Sequence, residues 1–188
     1  MKLKCVMAII CLFCSMSVFS QKHISFKKTI LNGNIKNVAS ELKCKGFISV
    51  ESDKNVERLK GSFINKECNV FVVGSKKTNI AWKVLVALPK NKSWKSLKRE
   101  YLSVKEIYEK KYGKGISYEY FSDPYYEGDG YELQALDNDK CTYETIWETD
   151  LGYIMVSISI KRIYISYEDK VNGKLSSKEK QEIANEDI

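Results

Sequence analysis

The amino-acid sequence predicts an α+β protein of two related halves, each a helix followed by an antiparallel β-meander. Two segments carry apolar residues at helical spacing, and most of the remaining chain alternates apolar and polar residues as strands do. A helix followed by consecutive antiparallel strands is typical of the α+β class, in which helices cover a sheet. The halves are predicted over residues 21–92 and 93–169, and residues 170–188 form a charged tail or short helix.

The two helices are predicted over residues 34–45 and 93–112. Gly46 follows the first as a C-terminal cap, whereas Ser93 caps the start of the second and Gly113 its end. A single apolar stripe on each helix is more typical of core packing than of contact with a cofactor. The stripes contain Ile35, Val38, Ala39 and Leu42 in the first helix, and Trp94, Leu97, Tyr101, Val104 and Tyr108 in the second.

Strands are predicted wherever apolar residues recur with a period of two. A final helix is short and highly charged, so we expect it to lie on the surface or to fray. The strand segments are 24–30, 59–63, 70–72 and 80–88 in the first half, and 116–120, 131–135, 141–147, 154–160 and 163–167 in the second; the final helix spans 177–184.

Residues 1–20 resemble a secretory signal peptide. Lys2 and Lys4 precede a short apolar run, and residues 18–20 before Gln21 resemble a cleavage site. The run is too short to cross comfortably the roughly 30 Å of a bilayer's hydrocarbon core; an uncleaved anchor and a lipoprotein are the alternatives. The sequence therefore predicts a secreted or periplasmic protein that is soluble after cleavage near Ser20–Gln21.

The use of cysteine and histidine argues against most nucleophilic and metal chemistry. After cleavage, Cys44, Cys68 and Cys141 would remain, either as idle thiols or as one disulfide and a leftover thiol. Three scattered cysteines do not form a zinc site without histidines. His23 is the only histidine and lies near a mature N-terminus, which is often mobile, so a hydrolase with a fixed histidine base is disfavoured. No cofactor and no metal are predicted.

The net charge of +7 hides a division between the two halves. Residues 21–92 contain 15 basic and 5 acidic residues, whereas residues 93–188 contain 14 basic and 19 acidic ones. The lysines of the first half are scattered and Arg58 is its only arginine, which argues against nucleic acid as a partner. A solvated lysine face is the ordinary interpretation, and contact with an anionic surface or glycan is the alternative.

Carboxylates and tyrosines concentrate in residues 118–132, the tyrosine-rich segment, which contains no lysine or arginine. Tyrosine offers a large contact area with little rotamer freedom to lose, and neighbouring carboxylates favour a cationic partner. Pro124, Gly128 and Gly130 predict a turn-rich loop, although an ordinary solvated hairpin or a calcium-binding loop are alternatives. The predicted binding residues are Tyr118, Tyr120, Asp123, Tyr125, Tyr126, Glu127, Asp129, Tyr131 and Glu132.

Several short motifs resemble those of small secreted proteins of unknown function from Bacteroides-like bacteria. The order of helices and strands also resembles the tandem α/β repeat of the beta-lactamase-inhibitory protein fold. These resemblances imply the two-half architecture and carry over no catalytic residue. The motifs are Gly46-Phe47, Gly61-Ser-Phe63, Trp94-Lys-Ser-Leu97, Lys111-Tyr-Gly113 and Tyr167-Glu-Asp169.

Two function classes remain open from the sequence. The leading hypothesis is an exported, non-enzymatic binding or inhibitor-type module that recognises a protein partner through the tyrosine-rich segment. The alternative is a small glycan-directed enzyme or glycan-binding protein, because glycoside hydrolysis needs only two suitably placed carboxylates. Glu127 and Asp129 are the acids whose replacement would distinguish the two.

Overall fold

The computed structural model describes residues 22–186, so the predicted signal peptide and its cleavage point lie outside the described residues. Within this range the chain is an α+β protein with a short hairpin, four helices and one eight-stranded antiparallel sheet. In chain order the elements are β1 (Ser25–Phe26), β2 (Thr29–Ile30), α1 (Ile35–Lys43), β3 (Ile48–Asp53), β4 (Val56–Phe63), β5 (Lys66–Gly74), β6 (Ala81–Ala87), α2 (Trp94–Tyr112), β7 (Ile116–Phe121), α3 (Glu132–Asp137), β8 (Cys141–Thr149), β9 (Gly152–Ser159), β10 (Arg162–Asp169) and α4 (Lys170–Glu186).

The large sheet has the strand order β3-β4-β5-β6-β10-β9-β8-β7, and every neighbouring pair is antiparallel. Strands β6 and β10 join its two sides, with Val86 opposite Ile165 and Val84 opposite Tyr167. Strands β3 and β7 are therefore the two edges of the sheet, 68 residues apart in the chain counted from Ile48 to Ile116.

One face of the sheet packs against α1 and α2. Its cross-strand row Leu59, Val70, Val86, Ile165 and Val156 is fully buried. Helix α1 lies against β4 and β5, while α2 lies against β9 and β10. Because each fully buried aliphatic side chain contributes about 1.5–3 kcal/mol relative to an exposed one, burial of this row stabilises the fold.

The two predicted helices are confirmed, with their apolar stripes buried against the sheet. Each begins after a capping side chain: Asn34 Oδ1 accepts from the Lys36 amide at 3.0 Å, and Ser93 Oγ accepts from the Ser96 amide at 3.3 Å. These bonds satisfy amide groups that the first turn of a helix leaves unpaired.

The predicted strand over residues 131–135 is wrong, because this segment forms helix α3. Ala135 is buried, and Leu133 and Leu136, three residues apart, both pack against the core. The spacing of these three residues fits a helix better than a strand. Five residues of apparent alternation do not separate the two structures by themselves.

The C-terminal helix is longer than predicted and does not lie loosely on the surface. Helix α4 runs from Lys170 to Glu186 and buries the polar residues Asn172, Ser176 and Glu179. The Asn172 amide nitrogen donates to the carbonyls of Leu31 and Ala81, which ties the helix to the first half. A helix whose buried side is polar shows no apolar stripe, so the sequence pattern indicated a solvated helix.

Strand β3 was not predicted, and the N-terminal strand is divided. All six residues of β3 are exposed, so this edge strand has no buried side to produce an alternating pattern. The segment predicted as one strand over 24–30 is a tight hairpin, in which Phe26 is buried while Ile30 is exposed.

His23 is fixed rather than mobile, contrary to the expectation for a chain start. Its Nδ1 lies 3.0 Å from Oδ1 of Asp169, and both side chains are almost fully buried. Asp169 also accepts from the amides of Ile24, Val171 and Asn172, at 2.8–3.1 Å. One buried carboxylate therefore holds the start of the described chain and the first turn of α4 together.

The three cysteines of residues 22–186 are free thiols and form no disulfide with one another. Burial raises the pKa of Cys68 to about 11 and that of Cys141 to about 12. Since the thiolate is the reactive form, these two thiols are poor nucleophiles near neutral pH.

Candidate functional site

The tyrosine-rich segment starts on the edge strand β7, crosses a loop and ends in α3. Successive side chains of β7 point to opposite faces of the sheet. Glu119 accepts from Lys105 Nζ at 2.6 Å and Phe121 packs against Trp94, so these two residues face α2. Tyr118 and Tyr120, which alternate with them, are about half exposed on the other face.

The loop after β7 folds back towards the start of α2. The Lys98 ammonium donates to the Glu127 carboxylate, and the Tyr143 hydroxyl donates to the same carboxylate at 3.3 Å. Lys98 also lies over the Tyr143 ring, 5.6 Å from its centre. The structure therefore places Glu127 on the helix-covered side of the sheet, away from Tyr118 and Tyr120.

This contact neutralises part of the acidic segment. The hydrogen bond from the Lys98 ammonium holds the pKa of Glu127 below its ordinary value, and the same bond raises the pKa of Lys98. The sequence showed no base between residues 118 and 132, but α2 supplies one through the tertiary fold. Lys105 does the same for Glu119.

Two further carboxylates of the segment stabilise the loop itself. Asp129 accepts from the amides of Tyr126 at 3.0 Å and Tyr131 at 2.6 Å. Glu132 accepts from the Gly128 amide at 3.0 Å. These bonds have the form of local side-chain turns and leave less of each carboxylate free for a partner.

The remaining predicted binding residues differ in their availability. Tyr126 and Tyr131 are 65% and 61% exposed, whereas Tyr125 is partly buried and its hydroxyl accepts from Asn138 Nδ2 at 2.8 Å. Asp123 is exposed and forms no ion pair within the described part of the chain. The nine predicted residues thus do not form one continuous patch.

The electrostatics of Glu127 do not suit the general acid of a glycosidase. A glycosidase acid needs a raised pKa, but Lys98 lowers the pKa of Glu127. Among residues 22–186, no group of three or more His, Cys, Asp or Glu side chains is arranged to hold a metal ion.

The sequence did not reveal a second surface, the open face of the sheet, which lies opposite α1 and α2. Its central cross-strand row is Arg58, Phe71, Leu85, Ser166, Met155, Ile146 and Ile116. The adjacent row brings Tyr118, Glu144, Ser157 and Tyr164 together.

The large side chains of the open face remain partly exposed. Phe71, Leu85, Met155 and Ile146 are half-buried, and Ile116 is 64% exposed at the edge. Such apolar side chains, at positions that alternate with the buried core, are the signal from which the sequence could have predicted this face. Tyr118 and Tyr120 belong to it, so the open face contains the part of the tyrosine-rich segment that points away from α2.

None of the helices in residues 22–186 is both long enough and apolar enough to span a membrane.

No protein-family model, curated protein or solved structure matches this chain.

Proposed function

We propose that this protein is a non-enzymatic binding module that recognises a protein partner through the open face of its sheet and the exposed tyrosines at the β7 edge. The observation that carries the proposal is the apolar row Phe71, Leu85, Met155, Ile146 and Ile116, which stays partly exposed while α1 and α2 pack on the other face. Monomeric proteins rarely leave large continuous apolar patches in contact with water.

The composition of the open face suits a protein interface. Aromatic residues and methionine are enriched at such interfaces, and here Phe71, Met155, Tyr164 and Tyr118 lie on the same face, spread over two adjacent cross-strand rows. Strand pairing on both sides fixes most of these residues before binding. Ordering the backbone is a free-energy cost that weakens binding at flexible recognition sites, and binding at this face requires little of it.

The charge near the β7 edge favours a partner with positive charge. Strands β7, β8 and β9 contain no lysine or arginine, and Glu144 and Glu148 lie on the open face. Asp150 follows in the next turn, and Asp123 is exposed in the loop after β7. Complementary charge of this kind accelerates association and selects the partner.

Export is part of this proposal, since residues 1–20 have the pattern of a signal peptide. We expect Gln21 to be the first residue of the protein recovered outside the cytoplasm, as determined by mass spectrometry of the intact chain. An intact Met1 on protein found only in the cytoplasm would contradict export.

The two-half architecture, resembling the beta-lactamase-inhibitory protein fold, is a further proposal. It is supported by the order of elements: α1 is followed by β3 to β6, and α2 by β7, β8, β9 and β10 with α3 inserted. The last strand of each set, β6 and β10, forms the central pair of the sheet.

Affinity capture with matched variants tests the proposed surface. Ile116→Asp changes an isoleucine at the β7 edge of the open face, and Ile48→Asp makes the same change at the β3 edge, where Ile48 is 72% exposed. We expect a partner to be retained by the wild type and by Ile48→Asp, but to bind Ile116→Asp at least about tenfold more weakly. Both variants should keep the wild-type circular dichroism spectrum.

Equal retention of the partner by all three proteins would contradict binding at the β7 side of the open face. A glycan panel provides the second arm of the experiment. Glycan binding or turnover that is lost in Glu127→Gln or Asp129→Asn, with the fold intact, would instead favour the glycan-directed alternative.

A further inference from the structure

A cavity lies on the other side of the molecule, where the β1–β2 hairpin and the β4–β5 turn meet the C-terminal half of α2. Its volume is about 340 Å³. Phe63, Tyr108, Tyr112 and Tyr167 contribute to its wall, and Ile64 and Ile107 lie at its edge. This size and apolar lining are typical of sites for small molecules.

The aromatic wall is uncharged and rigid. The rings of Tyr108 and Tyr112 are stacked, 6.0 Å apart and inclined by 16°, and the hydroxyls of Tyr108 and Tyr167 are hydrogen-bonded to each other. Burial raises the pKa of both Tyr108 and Tyr167, so both remain neutral phenols at physiological pH. The inner part of the cavity therefore suits an apolar group.

Three lysines, Lys27, Lys28 and Lys111, line the same cavity, and no carboxylate of residues 22–186 does. None of the three forms an ion pair with another of residues 22–186, whereas Lys98, Lys105 and Lys110 of α2 each pair with a glutamate. Lys111 Nζ lies over the Tyr112 ring, 4.9 Å from its centre, and Lys27 Nζ lies over the Phe47 ring at 5.0 Å. The cavity thus combines an aromatic wall with three lysines that form no ion pair among residues 22–186, although Lys27 Nζ donates to the Ser62 carbonyl at 3.3 Å.

The backbone holds two of these lysines in place. Lys27 and Lys28 are the two central residues of the β1–β2 turn, with φ of 46° and 61°. Two consecutive left-handed residues define the tight type I′ turn, which is usually formed by asparagine and glycine. The side chains of Lys27 and Lys28 therefore extend from a short, well-defined turn beside the cavity rather than from a long loop.

We propose that this cavity binds an amphipathic anion, a carboxylate carried on an apolar body. The apolar body would pack against the tyrosines and Phe63, and the carboxylate would pair with Lys27, Lys28 and Lys111. Lys27, Lys28 and Lys111 are exposed. The physical basis is therefore that charge-assisted hydrogen bonds are stronger than neutral ones, together with contact between the apolar body and the aromatic wall. This site is separate from the open face and does not depend on the proposed function.

Calorimetric titration with decanoate, below its micelle concentration, tests this proposal. Decanol supplies a comparable apolar chain without the charge, and inorganic phosphate supplies an anion without the chain. We expect decanoate to bind with a one-to-one ratio, at least about tenfold more tightly than either comparison compound, because it alone satisfies both parts of the cavity.

Variants of the full chain locate the bound decanoate. Lys27→Gln combined with Lys28→Gln should weaken decanoate binding about tenfold or more. Lys90→Gln combined with Lys92→Gln removes the same charge from two exposed lysines outside the cavity and should leave binding unchanged. Ile107→Asp places a negative charge at the edge of the cavity, on a side chain that is already 47% exposed, and should also weaken binding.

Three results would overturn the proposal. One is the absence of decanoate binding to the folded wild-type protein. Another is equal affinity for decanoate and decanol, or for decanoate and phosphate, because the site would then recognise only one of the two features. The third is equal loss of affinity in the cavity and control lysine variants, which would indicate attraction by the net charge alone.

Discussion

Asp169 is a single residue that connects two distant parts of the chain. Its buried carboxylate accepts from three backbone amides and lies beside His23, so one side chain caps α4 and fixes the N-terminal segment. If this carboxylate is removed, the backbone amides that donate to it stay buried without a partner. Leaving a buried donor unpaired costs more free energy than the loss of the hydrogen bond itself.

We therefore expect Asp169→Ala to lower the free energy of unfolding by about 2–4 kcal/mol. Asp137→Ala is the control, because Asp137 is half exposed and pairs only with Lys161 at 2.7 Å. That surface pair contributes about 0–1 kcal/mol. Urea denaturation monitored by tryptophan fluorescence measures both changes, and similar losses in the two variants would contradict the role given to Asp169.

Glu179 illustrates the pH dependence of a buried carboxylate. Burial alone would raise its pKa, but hydrogen bonds from the Thr78 hydroxyl at 2.6 Å and the Lys77 amide at 2.7 Å outweigh burial and hold the pKa below 4.5, its ordinary value. Between the lowered pKa and 4.5 the unfolded chain binds more protons than the folded one. Glu179 thus stabilises the fold above pH 4.5, and this contribution disappears as the pH falls through its folded pKa.

We expect Glu179→Gln to cost about 1.5–3 kcal/mol at pH 7 and progressively less as the pH is lowered through this range. Glu41→Gln, on an exposed residue of α1, provides the matched control. Unfolding by urea at a series of pH values gives the measurement. A difference between wild type and Glu179→Gln that stays constant from pH 7 to pH 3 would contradict this account.

At the scale of elements, the caps and the edges decide where helices and strands begin and end. Helix α1 starts at Ile35 because Asn34 has an extended backbone and bonds the Lys36 amide through its side chain. Strand β7, by contrast, is an unpaired edge whose exposed isoleucine and tyrosines remain free for contact with another molecule.

Asn34→Ala should destabilise the protein by about 1 kcal/mol, because the first turn of α1 loses its side-chain cap. Asn37→Ala makes the same change inside the same helix, where alanine has the higher helix propensity, and should be neutral or slightly stabilising. Thermal unfolding followed by circular dichroism compares the two variants. Equal shifts in Tm would show that the Asn34 side chain does not act as a cap.

At the scale of the whole molecule, the central pairing of β6 with β10 joins two sets of strands that are each consecutive in the chain. Residue 23 is bonded to residue 169, so the start of the described chain lies close to the beginning of α4. The segment between β6 and α2 is mostly exposed, although the backbone amide of Asn91 donates to the Lys161 carbonyl at 2.7 Å. These features make the connection between the proposed halves a suitable place to open the chain.

A circular permutant that starts at Lys92, ends at Asn91 and joins residue 186 to residue 22 should fold with the same sheet order, provided that its flexible linker spans the length of α4, about 25 Å. Starting at Lys92 keeps Ser93 as the cap of α2. Proteins usually tolerate permutation where few contacts cross the opened segment. We expect a single cooperative thermal transition; a permutant opened between Val70 and Phe71, inside β5, should not fold. Failure of both permutants would contradict the proposed boundary.

The sequence by itself determined the helices and strands that bury apolar residues along one side. Strands β6, β8, β9 and β10 alternate because the sheet has one packed and one open face, and α2 carries a stripe because it covers that packed face. The α+β class follows from these local patterns alone. The accumulation of tyrosine and carboxylate after residue 101 is likewise visible without any structure.

Only the tertiary structure decided the elements and contacts that depend on distant residues. Strand β3 has no buried side, and α4 buries polar groups, so neither has an apolar pattern in the sequence. The segment of α3 alternates apolar and polar residues over five positions, as a strand does. Lys98 and Lys105 neutralise acids that looked unpaired in the sequence, and strand alternation separates Tyr118 from Glu127. Hydrophobic periodicity reports only whether one side of a segment is apolar, whereas pairing, charge compensation and the membership of a surface arise when remote parts of the chain meet.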